Sequence, residues 1–516
     1  MPEEHPEKLP ISGGPIDAES VVEVALRGRE ISLDAEALQR VGATRRAMLA
    51  TLGDGLPHYG INTGFGSFAK TRIGGDDLRA LQHNLLRSHA AGLGEPLPVP
   101  VVRAMLLLLV GSLMRARSGV RPEVIEALAG MLNAGVTPVV PELGSVGASG
   151  DLAPLAHAAL VLTGEGEAWH GGRRHHAAEA LRRVGLAPIA LEAKEGLALI
   201  NGTHLMAGRL ALACHRLGRL LDAAVTAAAM SIDACRASHS FLDPRVYQAR
   251  GHNGPARVAA ALRGLLGGSE IKETHLQNDP RVQDPYSLRC VAVVLGPVLD
   301  LLTYARTSLH AELDAVTDNP LVFPEGEQAQ IISAGNFHGM PVAIPLDALA
   351  IGVSHIAGIS ERRLFHMLGA FDPEAHLNPY LSPKPGLHSG LMIAQYTAAA
   401  LVNEIVGLAT PASVVNIPTS AGMEDYNSFG PRSGAKLDRS ITLATSVIAI
   451  ELLAAAQALE AHRPHRSGEG VEAAHRAIRE AVPPLEGDRP PAPDIETITG
   501  LIEAERFSLA GNARDA

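Results

Sequence analysis

Apolar residues in this chain recur at helical rather than strand spacing. Between Pro188 and Pro244 there is no proline, and residues 205–237 place apolar side chains every three or four positions. Thr203 stands where an N-cap is expected, and about 35 helical residues span roughly 50 Å. Runs of the same kind cover 299–316, 346–368, 390–409 and 435–462, the last two closed by Pro411 and Pro464. Residues 446–459 are apolar nearly all round, as expected of a helix buried in a bundle or between subunits. Strictly alternating segments are scarce. The pattern predicts a mainly α protein, a bundle of long helices.

Composition narrows the class. Of 516 residues, 46% are hydrophobic and 19% charged, which is globular and excludes disorder for most of the chain. At about 150 residues per domain the length allows roughly three domains or one interlocked fold. The divisions expected are an N-terminal tail at 1–18, an N-terminal domain at 19–200, a central long-helix bundle at 201–464 and a C-terminal helical segment at 465–516. The net charge of -11 argues against a nucleic-acid partner. Cys214, Cys235 and Cys290 are too few for a disulfide framework and fit a reducing cytosol. The start, MPEEHPEKLP, is acidic and proline-broken, unlike a signal peptide. The most apolar stretch, 104–114, falls short of the about 20 residues that cross a bilayer. Pro385, His388, Gln395 and Asn403 interrupt the uncharged stretch after Lys384. A soluble cytoplasmic protein without a membrane partner is expected.

Gly- and Pro-rich loops separate the helices at 58–70, 141–157, 278–290, 333–341 and 418–430, and polar loops in a helical protein are where function concentrates. The segment Gly147-Ala148-Ser149-Gly150-Asp151 is not a nucleophile elbow, because Asp151 occupies the second glycine position. It lacks the G-K-[ST] of a phosphate loop. In isolation Ala-Ser-Gly is a turn. Here Gly144, Gly147 and Gly150 permit close backbone approach, so the Gly150 amide can reach the Ala148 carbonyl. Loss of that water and of the Ser149 hydroxyl would leave a conjugated methylidene, an electrophile made from backbone. No dinucleotide fingerprint is present, and the histidines at 175–176 and 462–465 lack zinc-ligand spacing, so no metal is expected.

The run GSVGASGDLAPLAH (144–157) resembles the signature of the histidine/phenylalanine ammonia-lyase family, and five further motifs extend the resemblance from about residue 34 to 464. It implies a 4-methylidene-imidazol-5-one (MIO) formed from Ala148, Ser149 and Gly150, with no external cofactor. It also implies the helical fold of the aromatic amino acid lyases, a homotetramer, and active sites each assembled from three subunits. Tyr59, in HYGINTGFG, matches the family's catalytic base. The usual tyrosine pKa of about 10 would need lowering for that role, a task suited to helix N-termini. Tyr286, in QDPYSLR, matches a second tyrosine beside the MIO, and Arg289 of the same motif fits a bidentate clamp on the substrate carboxylate. Asn201, in KEGLALINGT, matches a residue that touches substrate and MIO. Gln283 and Phe337 match active-site positions as well. His89, in LLRSHAAG, resembles the histidine-acting branch. Glu424, in MEDYNS, stands where phenylalanine enzymes carry Gln. Together they suit an imidazole, and the resemblance gives Glu424 a catalytic role in assisting proton transfer. Outside these motifs each residue would read as a packing aromatic, a surface cation or a solvated polar group.

Four segments depart from the histidine enzymes, at Met423, residues 291–293, His388 and His204. Met206 resembles the aminomutase branch. The resemblance therefore implies an ammonia-lyase taking the small molecule L-histidine to trans-urocanate. Its rivals are a 2,3-aminomutase of histidine or an aromatic amino acid, a tyrosine or phenylalanine lyase, and a non-catalytic scaffold.

Overall fold

A computed structural model describes residues 7–509 except 55, 69, 75, 76 and 278. The first six residues of the expected tail and the last seven of the expected C-terminal segment lie outside the described residues. The chain divides into two compact units. One comprises Met1–Leu212, Arg306–Leu346 and Ala412–Ala435, the other Ala213–Ala305, Asp347–Pro411 and Lys436–Ala516.

In the first unit, helix Val99–Met114 is buried from Val101 onward on every face, as its unbroken apolar run requires. Its one buried cation, Arg103, donates to the carbonyls of Val24 and Leu132 and so stays satisfied. Helices Ala18–Leu26 and Pro122–Asn133 pack on it. Helix Ala35–Thr51 carries the antiparallel pair Leu321–Glu325 and Gln328–Ile332, tied by the Thr51 hydroxyl to both backbone groups of Ala329. The described strands are two to five residues long. That is too short for alternation to show in the sequence.

The second unit holds most of the long-helix residues. The expected helices are found as His204–Ala234, Val291–Leu313, Met340–Gly369, Met392–Leu408 and Gly430–Leu459. Val291–Leu313, Met340–Gly369 and Gly430–Leu459 begin before their expected starts at 299, 346 and 435, and Pro297 and Pro345 lie inside the first two. A proline removes one backbone hydrogen bond, which the packing of the remaining turns offsets. By length and composition alone, three helices could cross a bilayer: Val291–Leu313, Met340–Gly369 and Gly430–His462. The sequence predicts all three as long helices of the bundle and none as a membrane span. The last is the most enclosed, and Val447–Ile450 and Leu452–Ala456 are buried as expected. Glu451 lies fully buried among them, paired with the equally buried Arg363 at 2.5 Å.

Candidate active site

Strand Pro141–Leu143, held antiparallel to Leu93–Pro96, delivers the chain into the loop 144–151, and helix Leu152–Leu162 leads out of it. The loop is compressed from two sides. A Cβ at Gly147 would lie 2.1 Å from Ser428 Oγ, and one at Gly150 would lie 2.1 Å from the Gly202 carbonyl oxygen. Both glycines have positive φ, 69° and 75°, so only glycine meets both demands. Segment 428–429 grips the first half of the loop. Ser428 Oγ donates to Gly147 O at 3.0 Å and Phe429 N to Val146 O at 2.8 Å. Gly202 grips the second half. Its carbonyl accepts from Asp151 N at 2.7 Å, and its N–H reaches Ser149 O at 3.4 Å. Among the described residues, Gly150 N–H makes no hydrogen bond.

Asp151 anchors the loop to the long helix. Its carboxylate Oδ2 accepts from the N–H groups of Leu205 (2.9 Å) and Met206 (3.2 Å), so Asp151 caps helix His204–Ala234. Thr203, the expected N-cap, instead donates its hydroxyl to Glu312. Complete burial pushes the Asp151 carboxyl up to about 7 despite these two bonds.

Ser149, Tyr59, His89, Asn201 and Glu424 line one cavity of about 540 Å³, and its apolar wall includes Phe65, Leu85 and Leu197. Ser149 Oγ donates to Glu424 Oε1 at 3.2 Å. The other carboxylate oxygen accepts from Thr419 Oγ1 at 2.8 Å, and a backbone bridge between Thr419 and Glu424 fixes the turn that presents it. Tyr59 Oη accepts from Gly66 N–H at 3.2 Å, at the start of the 3₁₀ turn Gly66–Phe68. That leaves the phenol's own O–H for the cavity. His89 ends helix Leu78–His89 and sets Nδ1 2.9 Å from Leu85 O. This contact places its proton on Nδ1 and turns Nε2 into an acceptor. Burial lowers the His89 pKa, opposed by that hydrogen bond and by the Glu424 charge, so the ring is neutral. Asn201 is buried at the end of helix Glu195–Ile200, and its Oδ1 has no partner among the described residues.

The other sequence candidates lie elsewhere. Gln283, Tyr286 and Arg289 form a separate cluster in the second unit. Arg289 Nη2 donates to Gln283 Oε1 at 2.7 Å, Nε donates to Asp284 O at 2.9 Å, and the guanidinium lies 4.6 Å from the Tyr286 ring centre. Tyr286 is 71% exposed. Phe337 is half-buried in the first unit and does not line the cavity. No Lys or Arg lines the cavity among the described residues. Sequence reasoning missed Asp151 and Thr419 as site-shaping residues. Asp151 was visible in its motif, but only as the residue that spoils a nucleophile elbow.

The sequence matches the aromatic amino acid lyase family over residues 16–480. It is 47% identical over 496 residues to a histidine ammonia-lyase of Deinococcus radiodurans, covering 96% of this chain and 94% of that protein. A histidine ammonia-lyase of Sorangium cellulosum is 48% identical over 498 residues, 95% and 96% of the two chains. The fold superposes on the histidine ammonia-lyase of Trypanosoma cruzi with a TM-score of 0.89 at 38% identity, covering 97% and 94% of the chains. For the tyrosine aminomutase of Streptomyces globisporus the TM-score is 0.90 at 34% identity, covering 97% and 98%. A match of this extent, around a loop whose glycines the backbone itself requires, means that the chain belongs to the aromatic amino acid lyase family and is a carbon–nitrogen lyase.

Proposed function

We propose that this chain eliminates ammonia from L-histidine to give trans-urocanate, using MIO formed from its own Ala148, Ser149 and Gly150. The observation that carries the reading is the contact of Ser149 with Glu424 in a cavity shared with Tyr59, His89 and Asn201. Ring closure joins Gly150 N to the Ala148 carbonyl carbon. The carbonyl oxygen leaves as water with the amide hydrogens of Gly150 and Ser149. Ser149 Oγ leaves as a second water with its own hydrogen and the Cα hydrogen. The group so formed supplies an electron-poor methylidene that turns the substrate amine into a leaving group.

The surrounding residues do the rest. Tyr59 Oη faces the cavity and, as the phenolate, is the group that takes the β-proton. Asn201 Oδ1, otherwise unpartnered, accepts from the substrate ammonium. Glu424 accepts from the imidazole N–H, and His89 packs against the ring in the same cavity. Departure of the Ser149 hydroxyl releases Glu424 Oε1 from its present donor, freeing that oxygen for the ring N–H. The substrate carboxylate needs a cation, and the cavity lacks one among the described residues. We assign this task to Arg289 of a neighbouring subunit, steadied by Gln283 and Tyr286. The family resemblance extends this to a homotetramer with sites drawing on three subunits, with Phe337 also contributed across subunits. The reading places the enzyme in the cytoplasm.

The likeness to a tyrosine aminomutase keeps a second outcome in view, since the same residues can return the amine to the β-carbon. The test is incubation with histidine, tyrosine and phenylalanine, with every product identified. Histidine should give urocanate and ammonia. Glu424→Gln should lower histidine turnover by about 10²-fold and leave any phenylalanine turnover nearly unchanged, because polar ring contacts discriminate strongly. A wild-type preference for phenylalanine, or a β-amino acid product, would overturn the histidine-lyase reading.

A further inference from the structure

His204 is 5% exposed, and neither of its ring nitrogens has a hydrogen-bond partner among the described residues. An imidazole buried in this way is less favourable than an apolar side chain of the same size. Its position gives it a use. The ring lies against the face of Gly202 where a side chain would project. A Cβ at residue 202 would sit 2.4 Å from His204 Cε1, 2.9 Å from Nδ1 and 2.7 Å from Thr317 Oγ1. The Gly202 carbonyl meets the reactive tripeptide, so close to Gly150 that a Cβ there would lie 2.1 Å away. Gly202 is thus held between Ser149–Gly150 in front and His204 with Thr317 behind. Thr317 is itself fixed, its hydroxyl accepting from Thr203 N at 3.2 Å.

We propose that His204 is a positioning residue for electrophile formation, a wedge that keeps Gly202 pressed on Ser149–Gly150 so that the loop stays bent toward ring closure. The inference rests on the MIO reading above. Shape, rather than proton transfer, is the property invoked. Burial, reinforced by the charge of Arg115, lowers the ring's pKa to about 3, which makes it a poor proton acceptor.

The test follows maturation by intact mass at intervals after synthesis of the full-length chain, reading the fraction that has lost two water molecules. Circular dichroism confirms that each variant is folded. His204→Ala should slow maturation by about tenfold or more, since small displacements of reacting atoms carry large rate penalties. His204→Leu keeps the bulk and removes both nitrogens. It should mature at close to the wild-type rate and raise the melting temperature. Wild-type kinetics for the alanine variant, or a leucine variant as slow as alanine, would overturn the wedge. A wild-type chain that never loses water would instead remove the MIO reading itself.

Discussion

Two completely buried carboxylates, Asp151 in the first unit and Glu451 in the second, are treated in opposite ways. Glu451, in the second unit, is saturated. One oxygen accepts from Ser231 Oγ (2.7 Å) and Arg363 Nε (2.5 Å), the other from Ser360 Oγ (2.5 Å) and Arg363 Nη2 (2.8 Å). Among the described residues Asp151, in the first unit, has two backbone donors on Oδ2 and none on Oδ1, and Asn201 Oδ1 and both nitrogens of His204 are similarly unpartnered. A saturated buried network fixes one arrangement of helices. A depleted one is costly for folding and tolerated where chemistry needs it. The Glu451 network is built for rigidity and the surroundings of Asp151 for reaction.

Substitutions should split along that line. The largest effect is expected for Ser149→Ala, which removes the second leaving hydroxyl. Turnover should fall by about 10³-fold or more while the urea midpoint stays near wild type. Arg363→Met should do the reverse. It strands Glu451 as an unpaired buried charge and should destabilise the fold by about 3–5 kcal/mol in denaturant titration. Turnover per folded molecule should be retained. If the Arg363 variant loses activity without losing stability, the division of labour is wrong. Tyr59→Phe keeps the ring and deletes the phenol. Steady-state kinetics should show a loss of about 10²-fold with no change in melting temperature.

The smallest expected effect concerns pH. The Asp151 carboxyl is raised in the folded chain to about 7 from a usual value near 4. Between those values the native state binds more protons than the unfolded state. Its contribution to stability is therefore full below about pH 4 and is lost as pH rises through about 7. Asp151→Asn should flatten the pH dependence of the denaturant midpoint across that window. An equivalent slope in the variant would show that Asp151 is not the group responsible.

The long helices were legible because their apolar spacing extends over many turns. Their starts were not, since Pro297 and Pro345 read as boundaries although the helices run through them. The five sequence candidates that line the cavity all lay in recognisable motifs. What the sequence hid was connectivity through space. Thr203 has the right chemistry and position for a cap, yet the cap comes from Asp151, far away in the chain. Arg289 and Tyr286 share a motif with Gln283 and stay together, outside the cavity of the first unit. Such placements depend on which segments meet, which no local pattern encodes.

The bond from Asp151 to the start of helix His204–Ala234 has one more consequence. Asp151, which completes the bend of the Ala-Ser-Gly loop, finds its two donors only once the first turn of helix His204–Ala234 has formed. Under the proposed chemistry, a nascent or misfolded chain is then harmless: it has the atoms of the electrophile but no geometry to assemble them. Maturation becomes a form of quality control, and the change in mass would report correct folding molecule by molecule.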